Sequence, residues 1–175
     1  WKVLAVVLKQ MGKINESIVV CQKSTQLNPQ DAEAHNNLGI ILKELGRLKE
    51  AEVSYREAIA LKPDYAEAHN NLGSTLQELG RLKEAEASFR QAITLKSDLV
   101  EAHYNLGNTL KELGRLNEAE VSYRQAIVSK PDLAEAHSNL SNTLKELGRL
   151  EEAEVSYRQA IALKPDLVEA HYNLG

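Results

Sequence analysis

A four-residue string, Ala-Glu-Ala-His or its variant that begins with valine, returns along the chain at a fixed interval of 34 residues. It begins at Ala32, Ala66, Val100, Ala134 and Val168. The segments 100–133 and 134–167 are identical at 28 of 34 positions. A repeat that keeps its register so strictly predicts a stack of similar supersecondary units, in which each unit packs on its neighbours.

The interval divides the 175 residues into five nearly complete repeats and a short remainder. We place the boundaries at 1–31, 32–65, 66–99, 100–133 and 134–167, with a partial repeat at 168–175. The first repeat is divergent, and Trp1 occupies the position that His35 holds in the second. We therefore expect residues 1–175 to form a single solenoid domain.

Each repeat is predicted to contain two helices. In the segment 32–45, apolar residues recur every three or four positions, which is typical of one face of a helix. Gly46 can adopt the left-handed conformation that ends a helix, and Pro63 follows a second helical stripe that begins at Leu48. Asp64 with Glu67 predicts a capping box at the start of the next repeat. Because no segment alternates with a period of two, we predict an all-α fold.

Glycine also recurs in the middle of the first helix, at Gly39, Gly73 and Gly107. Glycine there costs about 1 kcal/mol relative to alanine, so its presence indicates a close approach of the second helix. We expect that approach opposite Ala51 and its equivalents. Ser141 replaces the glycine in one repeat and is expected to widen the contact.

Composition excludes several classes of protein. Lysine and arginine number 21 against 25 acidic residues, a net charge of −4, which disfavours a nucleic-acid binder. No apolar run approaches the roughly 20 residues that cross a bilayer, and the opening segment does not resemble a signal peptide. The one cysteine, Cys21, excludes an intrachain disulfide and is expected to be a buried, inert thiol. We expect a cytoplasmic protein without membrane partners.

Neither catalytic nor metal-binding motifs are found. The chain has no glycine-rich phosphate loop, no HExxH and no G-x-S-x-G. Histidine occurs once per repeat, at His35, His69, His103, His137 and His171. Equivalent positions on stacked helices lie about 10 Å apart, too far to share a metal, so these residues are expected to pack at helix contacts. Acidic pairs such as Glu118 and Glu120 predict a solvated, ion-paired face. We predict no enzyme activity, catalytic residue, cofactor or metal.

The side of the first helix opposite the apolar stripe is polar. We call it the asparagine face, defined by Glu33, Asn36, Asn37, Ile40, Lys43, Glu44 and their equivalents. One of its positions is asparagine in every repeat: Asn37, Asn71, Asn105, Asn139 and Asn173. A carboxamide matches the donor and the acceptor of a peptide unit, so this ladder is predicted to hold an extended peptide by its backbone. The further predicted peptide-binding residues are Asn70, Tyr104, Asn108, Lys111 and Asn142. The alternative, compatible with the first, is that each asparagine bonds to a neighbouring helix.

The pattern Leu38-Gly39, Gly46, Ala51-x3-Tyr55 and Pro63 resembles the tetratricopeptide repeat. The run 103–107, His-Tyr-Asn-Leu-Gly, is similar to the repeat region of O-linked N-acetylglucosamine transferases. The resemblance implies a right-handed superhelical solenoid whose concave groove is lined by the asparagine face. Three positions depart from the family pattern, namely Ser17, Cys21 and Ser97, which stand where alanine, tyrosine and proline are usual.

These patterns predict a protein-interaction scaffold that binds a protein or an extended peptide segment. One alternative is the substrate-recruiting arm of a larger, glycosyltransferase-like enzyme whose catalytic domain lies outside this chain. Another is self-assembly through uncapped ends, since Leu167, Val168 and Leu174 are expected to be incompletely covered.

The family's carboxylate clamp for acidic chaperone tails is disfavoured. Lys2 and Asn37 could serve in such a clamp, but Glu67 and Asn71 occupy positions that need lysine and arginine. An acidic tail would be repelled by Glu67.

Overall fold

A computed structural model of the chain describes residues 1–165, apart from the side chain of Lys2. Predictions that concern His171, Asn173 and the partial repeat 168–175 lie outside the described residues.

The described residues form ten α-helices and contain no strand, as predicted. The first helices of the repeats are α1 (Lys2–Gln10), α3 (Ala32–Glu44), α5 (Ala66–Glu78), α7 (Val100–Glu112) and α9 (Ala134–Glu146). The second helices are α2 (Ile14–Leu27), α4 (Leu48–Leu61), α6 (Leu82–Leu95), α8 (Leu116–Ser129) and α10 (Leu150–Leu163).

Glycine ends each first helix, as the sequence predicted. Gly46 has a φ of 71°, and the equivalent glycines 12, 80, 114 and 148 have similar values. The amide of Gly46 donates to the carbonyl of Lys43, and the amide of Arg47 donates to that of Leu42. These two bonds satisfy carbonyls that the end of a helix leaves open, and they turn the chain directly into the second helix.

The predicted capping box of Asp64 and Glu67 is wrong. α5 begins after Tyr65, whose side chain makes no capping bond, and α7 and α9 likewise begin after Leu99 and Leu133. Asp64 lies one residue too early, and it is its backbone carbonyl that accepts a bond from Ala66. Only before α3 does an aspartate fall in the capping position, where the carboxylate of Asp31 accepts from the amide of Ala34 at 3.1 Å.

The chain divides into two compact units, residues 1–95 and 96–175. In the first, α1, α3 and α5 pack on α2, α4 and α6, and α2 and α4 also pack on α3 and α5. In the second, α7 and α9 pack on α8 and α10, and α8 packs on α9. The core of the second pair contains Ala51, Ala58 and the ring of Tyr55, and the later pairs also bury alanines against one ring.

The mid-helix glycines face these rings rather than the alanines that the sequence suggested. A Cβ atom on Gly39 would lie 2.6 Å from the ring of Tyr55, and one on Gly107 would lie 2.6 Å from that of Tyr123. A side chain at these glycines would overlap the ring unless the ring moved. In the last full repeat Ser141 takes this place, and its buried hydroxyl donates to the carbonyl of Ala153.

Candidate functional site

In the first compact unit, polar side chains of the asparagine face join successive first helices. The carboxamide nitrogen of Asn71 donates to the side-chain oxygen of Asn36 at 3.0 Å. The ammonium of Lys43 donates to the hydroxyl of Ser74 at 2.5 Å and pairs with Glu78 at 3.0 Å. These contacts fix the spacing of α3 and α5 and order the polar groups between them.

In the second compact unit, Asn139 has the same bridging role. Its carboxamide nitrogen donates to the hydroxyl of Tyr104 at 3.1 Å and to the side-chain oxygen of Asn108 at 2.9 Å. The hydroxyl of Tyr123 also donates to Asn108, at 2.8 Å. Lys111 pairs with Glu146 at 3.0 Å. The face is therefore a connected network rather than a row of separate amides.

The alternative that each asparagine bonds to a neighbouring helix therefore accounts for the hydrogen bonds donated by Asn71 and Asn139. The carboxamide oxygens of Asn71 and Asn139 accept no hydrogen bond from the residues that the structure describes. Both side chains are half-buried. Each therefore keeps an acceptor that can take a hydrogen bond from a ligand N–H group.

A polar depression of about 440 Å³ lies between α3 and α5. Ile40, Lys43, Tyr55 and Asn71 contribute to its wall. The hydroxyl of Tyr55 makes no hydrogen bond to a described residue. Burial raises the pKa of Tyr55, and the nearby carboxylates of Glu44 and Glu78 raise it further. The hydroxyl is therefore protonated at neutral pH and can donate into the depression.

A second depression, of about 400 Å³, is lined by residues of α4, α5 and α6, among them Ile59, Leu72 and Ala87. Half of the residues that line it are apolar, and none of them is a ladder asparagine. It is the chief alternative surface of the first compact unit.

The remaining predicted residues differ in their surroundings. Asn70 and Asn105 are half-buried on the same face. Asn142 accepts a hydrogen bond from the hydroxyl of Tyr157. Asn37 is half-buried, makes no hydrogen bond to a described residue, and borders a separate small cavity.

The histidines bond to loops rather than packing simply at helix contacts. The Nε2 atom of His35 lies 3.0 Å from the carbonyl oxygen of Pro29, and that of His103 lies 2.8 Å from the carbonyl of Ser97. His69 and His137 repeat the contact with Pro63 and Pro131. Each ring donates to the turn that enters its own helix. Within residues 1–165, no group of three histidine, cysteine or carboxylate side chains could hold a metal ion.

The ion-paired face and the buried thiol are as predicted. Glu118 pairs with Arg115 at 2.6 Å, and Glu120 pairs with Arg124 and with Arg149 of the following repeat. Cys21 is buried, and desolvation raises the pKa of its thiol.

Sequence reasoning missed the tyrosine hydroxyls. The pattern assigned Tyr55 and Tyr123 to the apolar stripe of the second helix, where their rings indeed lie. Their hydroxyls nevertheless reach the asparagine face. The sequence did contain a signal, in the residue that lies 15 positions before each tyrosine. It is Ile40 before Tyr55 and Asn108 before Tyr123, and of these two only Asn108 can accept a hydrogen bond from the tyrosine hydroxyl.

None of the described helices is long and apolar enough to cross a membrane. A search of curated proteins found no match to the chain.

Solved structures resemble the chain closely in backbone. MamA has a TM-score of 0.84 at 22% identity, over 94% of this chain and 96% of that one. YrrB, described as a TPR protein with an unusual peptide-binding site, has a TM-score of 0.79 at 23% identity, over 96% and 87%. PilF of Pseudomonas aeruginosa has a TM-score of 0.83 at 20% identity, over 97% and 85%.

At these identities the likeness concerns the fold. The family itself is shown by the model for the TPR repeat, which matches five overlapping segments that together span most of the sequence. They are residues 7–46, 41–80, 74–114, 107–148 and 142–175. With this match along its length, and with paired helices of which the first ends on a left-handed glycine, the chain belongs to the TPR repeat family.

Proposed function

We propose that this TPR scaffold binds an extended peptide segment along its asparagine face. The observation that carries the proposal is the depression between α3 and α5, whose wall includes two residues with a hydrogen-bonding group that has no partner among residues 1–165. The donor is the hydroxyl of Tyr55, and the acceptor is the carboxamide oxygen of Asn71.

This arrangement fits a peptide unit. A backbone carbonyl can accept from Tyr55 while a neighbouring backbone N–H donates to Asn71. The bond from Asn71 to Asn36 holds the amide in place before a ligand arrives, which lowers the entropic cost of binding. Ile40 supplies an apolar contact beside these groups. Recognition of this kind depends on the backbone and accepts many side chains.

The charges of the face favour a ligand of low net charge. Lys9, Lys43 and Lys111 each pair with a glutamate of the next first helix, at 2.6, 3.0 and 3.0 Å. To reach these lysines, an acidic tail would have to displace the glutamates that pair with them. Displacement would leave the glutamate charges without a partner, which is costly. A polar, nearly neutral segment can bind without breaking the pairs.

YrrB supports the class of ligand, since it has the same fold and is described as having a peptide-binding site. The alternative of a recruiting arm for a glycosyltransferase-like enzyme would use the same face for its substrate. Self-assembly stays a second hypothesis, and no observation among the described residues favours it.

The test is fluorescence anisotropy with a mixed pool of fluorescein-labelled nine-residue peptides. We expect Tyr55→Phe to weaken binding about five- to tenfold, because one hydrogen bond is worth about 1 kcal/mol. The triple variant Asn71→Ala, Asn105→Ala and Asn139→Ala should lose most of the affinity. The matched control is Tyr123→Phe, whose hydroxyl already bonds to Asn108 and should matter less.

Circular dichroism must first show that all variants are folded. Phe89 occupies the equivalent position in the third repeat, so the ring without its hydroxyl is compatible with the fold. If the native chain binds and neither variant differs from it, the peptide lies on another surface, and the depression between α4 and α6 becomes the candidate.

A further inference from the structure

The first repeat differs from the others at the contact between glycine and ring. Cys21 stands where the second repeat has Tyr55, and Ala5 stands where it has Gly39. Both residues are buried, and the hydroxyl of Ser17 donates to the carbonyl of Ala5 at 2.8 Å. The helices α1 and α2 therefore meet closely without an aromatic ring between them.

A cavity of about 100 Å³ lies beside these small residues, between α1, α2 and α3. Its apolar wall is formed by Ala5, Val6, Cys21, Ile40 and Ile41. A water molecule occupies about 30 Å³ of liquid, whereas an apolar cavity of about 150 Å³ admits benzene. The volume therefore suits a group of a few aliphatic carbons.

Two polar residues complete the lining of the cavity, Lys9 and Asn37. Lys9 is held by Glu44 at 2.6 Å and presents no uncompensated charge. The Asn37 carboxamide borders the cavity next to its apolar wall.

We propose that this cavity is a specificity pocket that takes one branched aliphatic side chain, valine, leucine or isoleucine, of the bound peptide. The Asn37 carboxamide bonds the backbone of that same residue. A charged or strongly polar side chain is excluded because these walls offer it few hydrogen-bond partners. The inference rests on the proposed function. It adds a preference for certain peptide side chains to a face that otherwise binds only the peptide backbone.

The first test uses Gly-Ser peptides of nine residues with a fluorescein label and a single central leucine, alanine or aspartate. We expect the leucine peptide to bind the native chain at least fivefold more tightly than the alanine peptide, and the aspartate peptide to bind worst. The double variant Ala5→Gly, Cys21→Tyr places a ring in the cavity and should abolish the leucine preference.

The second test does not depend on peptide binding. Isobutanol carries the branched group of leucine, and its titration should shift the methyl resonances of Val6, Ile40 and Ile41 in the native chain. The same resonances should not respond in the double variant. Should that variant fail to fold, Cys21→Met fills the same space without a ring and serves in both tests.

The outcomes separate the two proposals. Peptide binding without a leucine preference, or methyl resonances that ignore isobutanol, overturns the pocket and leaves groove binding in place. A response to isobutanol in a chain that binds no peptide overturns groove binding, and with it the pocket's role in peptide recognition.

Discussion

Buried tyrosines couple the stability of the fold to alkaline pH. Desolvation raises the pKa of both Tyr55 and Tyr123, with nearby carboxylates adding to the effect. The folded chain therefore keeps phenolic protons that the unfolded chain releases above its ordinary pKa of about 10. Because the folded state then binds more protons, the free energy of unfolding must fall as pH rises above about 10.

We expect a slope of up to about 1.4 kcal/mol per pH unit for each such tyrosine, and no contribution from these groups below pH 9. Urea unfolding, followed by circular dichroism between pH 8 and 11.5, measures it. The variant Tyr55→Phe, Tyr123→Phe should be distinctly less sensitive over the same range. An equal alkaline slope in the native chain and the variant would show that other groups are responsible.

A contact between one residue of the first helix and one of the second helix joins the two helices of a repeat. In the second repeat Gly39 meets the ring of Tyr55, whereas in the first repeat Ala5 and Cys21 occupy these positions and neither is aromatic. We predict that Cys21→Tyr alone is destabilising by about 1–3 kcal/mol, because its ring would overlap the side chain of Ala5. Adding Ala5→Gly should recover most of that loss, although glycine itself costs about 1 kcal/mol in a helix.

A double-mutant cycle by urea unfolding gives the coupling energy between the two positions. We expect at least about 1 kcal/mol of favourable coupling. Substitutions at two positions that do not touch change the free energy of unfolding additively, within about 0.5 kcal/mol. Additive effects of Ala5→Gly and Cys21→Tyr would therefore refute direct packing between the two positions.

The helices themselves could be predicted because their signals are local. Gly46 and the apolar spacing of 32–45 act within one or two turns, and both led to the observed helix. The failed capping box at Asp64 shows the limit of such signals, since a shift of one residue removes a cap.

The site was harder to predict because its contacts join residues far apart in sequence. Asn71 meets Asn36 across 35 residues, and Tyr123 meets Asn108 across 15. Both contacts depend on the rotation of one helix against another, which no local pattern specifies. The cavity at Cys21 had a visible signal, but it required comparing Ala5 with Gly39 as well as Cys21 with Tyr55.

At the scale of the whole molecule, the repeat implies that stability is a sum of local terms. Within the first compact unit, each helix contacts mainly its neighbours in the stack, and only a few contacts join successive first helices. Removing residues 32–65 would join Asp31 to Ala66 and keep the register of the 34-residue repeat. The new contact would place α5 on α2, in the manner of α3 on α2.

We expect this shortened chain to fold with unchanged helicity per residue, measured as ellipticity at 222 nm. Its urea m-value should fall by roughly a fifth, because that value scales with the surface exposed on unfolding. The midpoint should also fall, since one set of interfaces between neighbours is lost. A chain that lost most of its helicity would show instead that the second repeat holds contacts its neighbours cannot replace. In the shortened chain Ser74 and Thr75 would replace Ile40 and Ile41 at the cavity, so its wall becomes more polar and the preference for the leucine peptide should weaken.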